Sequence, residues 1–126
     1  MKLEAIFTEN APEAVGPYSQ AIKAGKTIYV PGQLPIDPET GKHINETIEK
    51  ETRQSLENAK AILFEAGATL DDVVKVTVFI QNMDDFPRIN EVYSQYFTSH
   101  KPARACVEVA RLPLGVNVEI EMIAMI

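Results

Sequence analysis

The chain has 126 residues, 45% hydrophobic and 24% charged, which fits a single globular domain over residues 1–126 and disfavours disorder. A net charge of −6 without a cluster of Lys and Arg argues against nucleic acid as the main partner. One cysteine allows no internal disulfide, no apolar run approaches membrane-spanning length, and Met1 to Phe7 lacks the apolar stretch of a signal peptide, so a cytoplasmic setting is expected.

In chain order, Leu3 to Phe7 reads as a short strand, and Asn10-Ala11-Pro12 and Gly16-Pro17-Tyr18-Ser19 break the pattern as loops. Gln20 to Ala24 and Thr27 to Val30 are predicted strands joined through Gly25-Lys26, and Pro35 to Lys42 is a loop. From Thr47 to Ala66 the positions Ile48, Leu56, Ala59, Ile62, Leu63 and Ala66 recur at helical spacing, with Gly67 as a stop. Val73 to Gln81 predicts a central strand with Val74, Val76, Val78 and Ile80 on one face and Lys75, Thr77 and Phe79 on the other.

Asp84 or Asp85 caps a second predicted helix, whose stripe Phe86, Ile89, Val92, Tyr93, Tyr96, Phe97 ends before Pro102. Two strands, Arg104 to Val109 and Val116 to Glu121, follow. Paired as an antiparallel hairpin centred near Leu112 and Pro113, they set Arg104 opposite Glu121 and Cys106 opposite Glu119. An Arg, the single thiol and two carboxylates then share one surface. The order is β-β-β-α-β-α-β-β, an α+β layout in which two helices cover only one sheet face. Met122 to Ile126 is apolar throughout, which predicts burial on both sides and hence a homo-oligomer packed through its sheets.

On residue patterns alone the plainer readings prevail. Arg104 could present its guanidinium fork to a small carboxylate, but a surface salt bridge to Glu121 is the commoner outcome. Cys106 as a nucleophile needs a base, and neither His43 nor His100 is placed by sequence to serve, so a small buried residue is favoured. The same two histidines, far apart and without companions at ligand spacing, make a metal site improbable. Glu119 could position a water or be merely solvated. Tyr18 could wall a pocket or anchor its loop. Asn90 is an ordinary polar helix residue or one that reaches across a subunit boundary. Pro31-Gly32-Gln33 places accessible backbone at a strand end where a ligand can approach.

Together, Glu9-Asn10-Ala11-Pro12, Gly16-Pro17-Tyr18-Ser19-Gln20, Gly32-Gln33, Val76-Thr77-Val78-Phe79, Asn90-Glu91-Val92-Tyr93 and the run Pro102 to Pro113 with Ile120-Glu121 closely resemble the RidA/YjgF family of reactive-intermediate deaminases, from end to end. The resemblance implies a chorismate-mutase-like α+β fold with a mixed six-stranded sheet and two helices on one face, a homotrimer with sites between subunits, and no metal or organic cofactor. It implies hydrolysis of 2-imino acids such as 2-iminobutanoate and 2-iminopropanoate to 2-oxo acids and ammonia. In that reading Arg104 holds the substrate carboxylate, Glu119 orients the attacking water, Tyr18 lines the pocket, and Asn90 with the backbone around Gly32 and Cys106 completes it. Pro31 stands where many members carry Ser, which removes a hydroxyl and an N–H. The alternatives are a non-catalytic or chaperone-like trimer that binds small carboxylates, and an endoribonuclease, which an acidic chain does not favour.

Overall fold

A computed structural model of the protein describes residues 2–126; Met1, the first residue of the expected domain, lies outside them. The elements are β1 (Leu3–Ile6), β2 (Ala21–Ala24), β3 (Thr27–Gln33), α1 (Ile48–Glu65), β4 (Val73–Ile80), α2 (Phe86–Tyr93), β5 (Ala103–Glu108) and β6 (Val118–Met125). The strands form one sheet in the order β1-β2-β3-β6-β4-β5. Every pairing is antiparallel except that of β4 with β5. Among the described residues no helix is long and apolar enough to cross a membrane.

Local chemistry explains the elements that the sequence predicts well. Gly25, at φ 63°, supplies the left-handed turn residue of the β2–β3 hairpin. Thr47 caps α1 by accepting the Lys50 backbone N–H at 3.1 Å, and Glu49 and Glu51 sit in the first turn where the helix dipole favours acids. The buried side of α1 carries Leu56, Ala59, Ile62 and Leu63, and it packs against β3, β6 and α2. Beneath the helices lie Ile28 and Val30 of β3, Val76, Val78 and Ile80 of β4, and Val118, Ile120, Met122 and Ala124 of β6, all buried.

The other face of the sheet carries Tyr29, Thr77, Phe79, Val107, Glu119, Glu121 and Ile123, half-buried or exposed within the single chain. Val74, expected on the buried face, is instead exposed. A register shift between Val73 and Lys75 in the pairing with β6 turns it outward.

Two further expectations fail. The second helix stops at Tyr93, because the chain tightens there into turns: Gln95 N–H reaches the Val92 carbonyl and Tyr96 N–H the Tyr93 carbonyl, each at 3.0 Å. Phe97 nonetheless stays buried and stacks on Tyr93 with ring centroids 4.8 Å apart. The terminal hairpin does not form. β4 lies between β5 and β6, so Arg104 pairs with Val76 and Cys106 with Val78, while Glu119 pairs with Phe79 and Glu121 with Thr77. The β4–α2–β5 segment is a crossover that delivers β5 parallel to one edge of β4, leaving the other edge for β6. The link from β5 to β6 passes the end of β4, where Val109 N–H donates to Ile80 O at 2.9 Å and Gln81 N–H to Asn117 O at 3.1 Å.

Candidate functional site

The residues singled out in the sequence fall into two clusters on opposite faces of the sheet. The first stands where β5 meets α2. Arg104 points to the helical side, where its Nη1 donates to Asn90 Oδ1 at 2.6 Å. Its guanidinium carbon lies 4.7 Å from the centroid of the Tyr93 ring and 5.3 Å from that of Phe86. Two aromatic faces and one amide thus fix a cation at the sheet edge. The expected salt bridge to Glu121 is absent; among the described residues no carboxylate lies within ion-pair distance of Arg104. A fork held on rings and facing no acid of its own chain is suited to an incoming carboxylate.

Cys106 follows on the same side and is half-buried against the core. Burial pushes its thiol pKa up, with the Arg104 charge pulling the other way, so the thiolate a nucleophile needs is disfavoured. No histidine serves it: His43 contacts Glu51 at 3.2 Å, and His100 contacts the Val73 carbonyl at 2.8 Å. The Tyr93 hydroxyl is buried without a hydrogen-bond partner among the described residues, and burial raises its pKa against the opposing Arg104 charge.

The second cluster lines a groove of about 960 Å³ that includes Tyr18, Pro31, Gly32, Leu34, Leu114 and Glu119. Gly32 and Glu119 belong together, because a β-carbon on Gly32 would collide with the Glu119 carboxylate. Burial first, and the like charge of Glu121 second, push the Glu119 pKa above the ordinary carboxylate value. Pro31 falls where the β3–β6 pairing slips between Val30 and Gln33, a break that accommodates a residue without an N–H. Its carbonyl accepts from Gln33 Nε2 at 2.9 Å. Tyr18 is 52% exposed, and its hydroxyl accepts weakly from the Val15 N–H at 3.4 Å.

The loop that carries the outer wall is pinned by Gln20. Its side chain accepts from Thr8 N and donates to the carbonyls of Thr8, Ala11 and Pro12.

The structure therefore joins Arg104, Asn90 and Cys106, and separately joins Tyr18, Pro31, Gly32 and Glu119. It does not bring Arg104 and Glu119 onto the one surface expected of them. Phe86 and Tyr93 beneath Arg104 were legible only as a buried stripe; their spacing of seven residues on one helix face was the available signal. Leu34, Ile36 and Leu114 carried no sequence signal that set them apart from ordinary loop residues. Among the described residues no group of three or more His, Cys, Asp or Glu is placed to hold a metal ion.

Fold and site define a class: a small α+β protein whose helices cover one sheet face, with a cationic cluster on that side and a carboxylate-lined groove on the bare one. The family model described as endoribonuclease L-PSP matches residues 8–126. A RutC family protein of Pyrococcus abyssi is 58% identical over 98% of this chain and 98% of its own length. The 2-iminobutanoate/2-iminopropanoate deaminase of Salmonella typhimurium is 49% identical over 96% of each chain. A crystal structure from Thermotoga maritima, described as a candidate endoribonuclease, superposes with a TM-score of 0.97 at 56% identity, covering 100% of this chain and 98% of that one. The chain belongs to this family, the RidA/YjgF family that its motifs resemble.

Proposed function

We propose that the protein is a deaminase that hydrolyses 2-imino acids to 2-oxo acids and ammonia. Its active form is an assembly of identical chains, a trimer on the family resemblance, in a cytoplasmic setting. Arg104, Asn90 and Cys106 of one copy face Tyr18, Pro31, Gly32 and Glu119 of the next. The observation that carries this reading is the placement of Arg104 and Glu119 on opposite faces of one sheet. A carboxylate anchor and a water-orienting acid that cannot meet within a chain can meet between chains.

In this chemistry the Arg104 fork holds the substrate carboxylate and so fixes the imine carbon. Glu119 accepts a proton as water adds to that carbon, and the imine nitrogen takes up a proton. The adduct's hydroxyl then gives up its proton as the amine nitrogen gains one, the carbon–nitrogen bond breaks, ammonia leaves, and the 2-oxo acid remains. A carboxyl whose pKa is raised by burial suits both halves of this transfer. An endoribonuclease role is disfavoured by the groove itself, where Glu9, Glu13 and Glu119 repel a phosphate backbone.

The test uses two inactive variants. Arg104→Ala and Glu119→Gln each abolish the acceleration of imine decay, whereas co-expression in equal amounts rebuilds intact sites between copies and restores about a quarter of the wild-type rate. No recovery rejects the shared site. A wild type that leaves imine decay unchanged rejects the deaminase, and tight 2-oxo acid binding without turnover would then make it a carboxylate binder.

A further inference from the structure

The groove that holds Glu119 encloses about 960 Å³. Val15, Pro31, Leu34, Ile36, Pro113 and Leu114 give it an apolar wall. Leu114 is 71% exposed and takes a left-handed backbone, φ 58°, beside Gly115 at φ 69°. That turn keeps its isobutyl group out of the chain's own core and at the groove.

The polar groups around this wall offer little to a polar ligand. The Gln20 amide is spent on Thr8, Ala11 and Pro12, and Gln33 Nε2 on the Pro31 carbonyl. Thr8 Oγ1 takes the Asn10 N–H. Pro31 has neither a hydroxyl nor an N–H. The charged residues of the groove are Glu9, Glu13 and Glu119, so a second carboxylate on a substrate meets like charge.

We propose that this wall is a side-chain subsite, and that the protein prefers 2-imino acids with branched aliphatic side chains, such as those formed from leucine, over small, hydroxylated or acidic ones. The inference rests on the deaminase reading above. Apolar burial of the added methylenes gives a leucine-derived imine about a 10-fold or greater advantage in kcat/KM over the alanine-derived one. A side-chain carboxylate meets the like charge of the groove, and a hydroxyl exchanges its water for no more than the Tyr18 phenol or a carboxylate.

The experiment generates imines in place from alanine, leucine, serine and aspartate with an amino-acid oxidase, and follows their decay by semicarbazide trapping with and without the protein. In parallel, calorimetry compares binding of 4-methyl-2-oxopentanoate with that of pyruvate. The subsite predicts the order leucine, alanine, serine, aspartate, and tighter binding of the branched 2-oxo acid. Leu114→Ser lowers the leucine-to-alanine ratio of kcat/KM at least about fivefold, and Pro31→Ser raises the serine-derived rate relative to the leucine-derived one. Alanine-derived imine hydrolysed as fast as or faster than the leucine-derived one, or a ratio unmoved by Leu114→Ser, overturns the subsite. If no imine is hydrolysed, the deaminase reading fails, and tighter binding of 4-methyl-2-oxopentanoate than of pyruvate still supports the subsite; equal binding rejects it.

Discussion

Gly32 is required by Glu119 and not by its own backbone. A methyl group there would displace only the far end of a flexible side chain, so the chain can absorb it by swinging the carboxylate away. Gly32→Ala is therefore expected to leave the thermal midpoint nearly unchanged and to cut imine hydrolysis by about 100-fold, since a displacement of an ångström at a reacting group costs that much. Comparable losses of stability and activity would contradict this account. On the proposed mechanism Glu119 also sets the pH dependence. The carboxylate must be ionised to accept a proton, so the rate falls as pH drops through its raised pKa. Glu121 contributes to that elevation as a like charge, so Glu121→Gln moves the acid limb of the pH–rate profile to lower pH. A limb that stays put or moves upward refutes the assignment.

Helix α1 does more than cover the sheet, because it clamps both supports of the groove. Glu51, 2% exposed, accepts from the Asn117 backbone N–H at 3.1 Å and from Asn117 Nδ2 at 2.8 Å, just ahead of β6, and contacts His43 Nε2 at 3.2 Å. Asn58, on the same helix, donates to the carbonyls of Leu34 and Ile36 at 3.1 and 2.9 Å. Glu51→Ala leaves these part-buried donors without their acceptor and is expected to cost about 3 kcal/mol, against about 1 kcal/mol for loss of the Thr47 cap in Thr47→Ala. Urea denaturation of the two variants reads the difference directly.

The helix itself was legible, since its apolar period, its cap and its terminal Gly67 all act within a few residues. The alternation of β5 and β6 was legible too, but not their neighbours: alternation says which residues share a face of a strand, and nothing about which strand lies alongside. Arg104 and Glu119 were thus recognisable as charges on strands while their separation was hidden. The Gly32–Glu119 approach was hidden as well, because it joins positions far apart in the chain.

The bare sheet face gives the molecule its unsatisfied side. Tyr29 and Val107 are exposed there and Ile123 is only half-buried, an apolar surface of the kind that a second copy covers. Val107→Asp is expected to yield chains with native far-ultraviolet circular dichroism that light scattering finds smaller than the wild-type assembly, and that no longer hydrolyse imines. An unchanged mass would mean that this face is not the contact. In the proposed assembly the opposite-face arrangement of Arg104 and Glu119 also makes turnover collective. On that proposal a fully folded solitary chain owns two half-sites and no whole one, so on dilution below the assembly constant the specific activity is expected to fall steeply, while every chain remains intact.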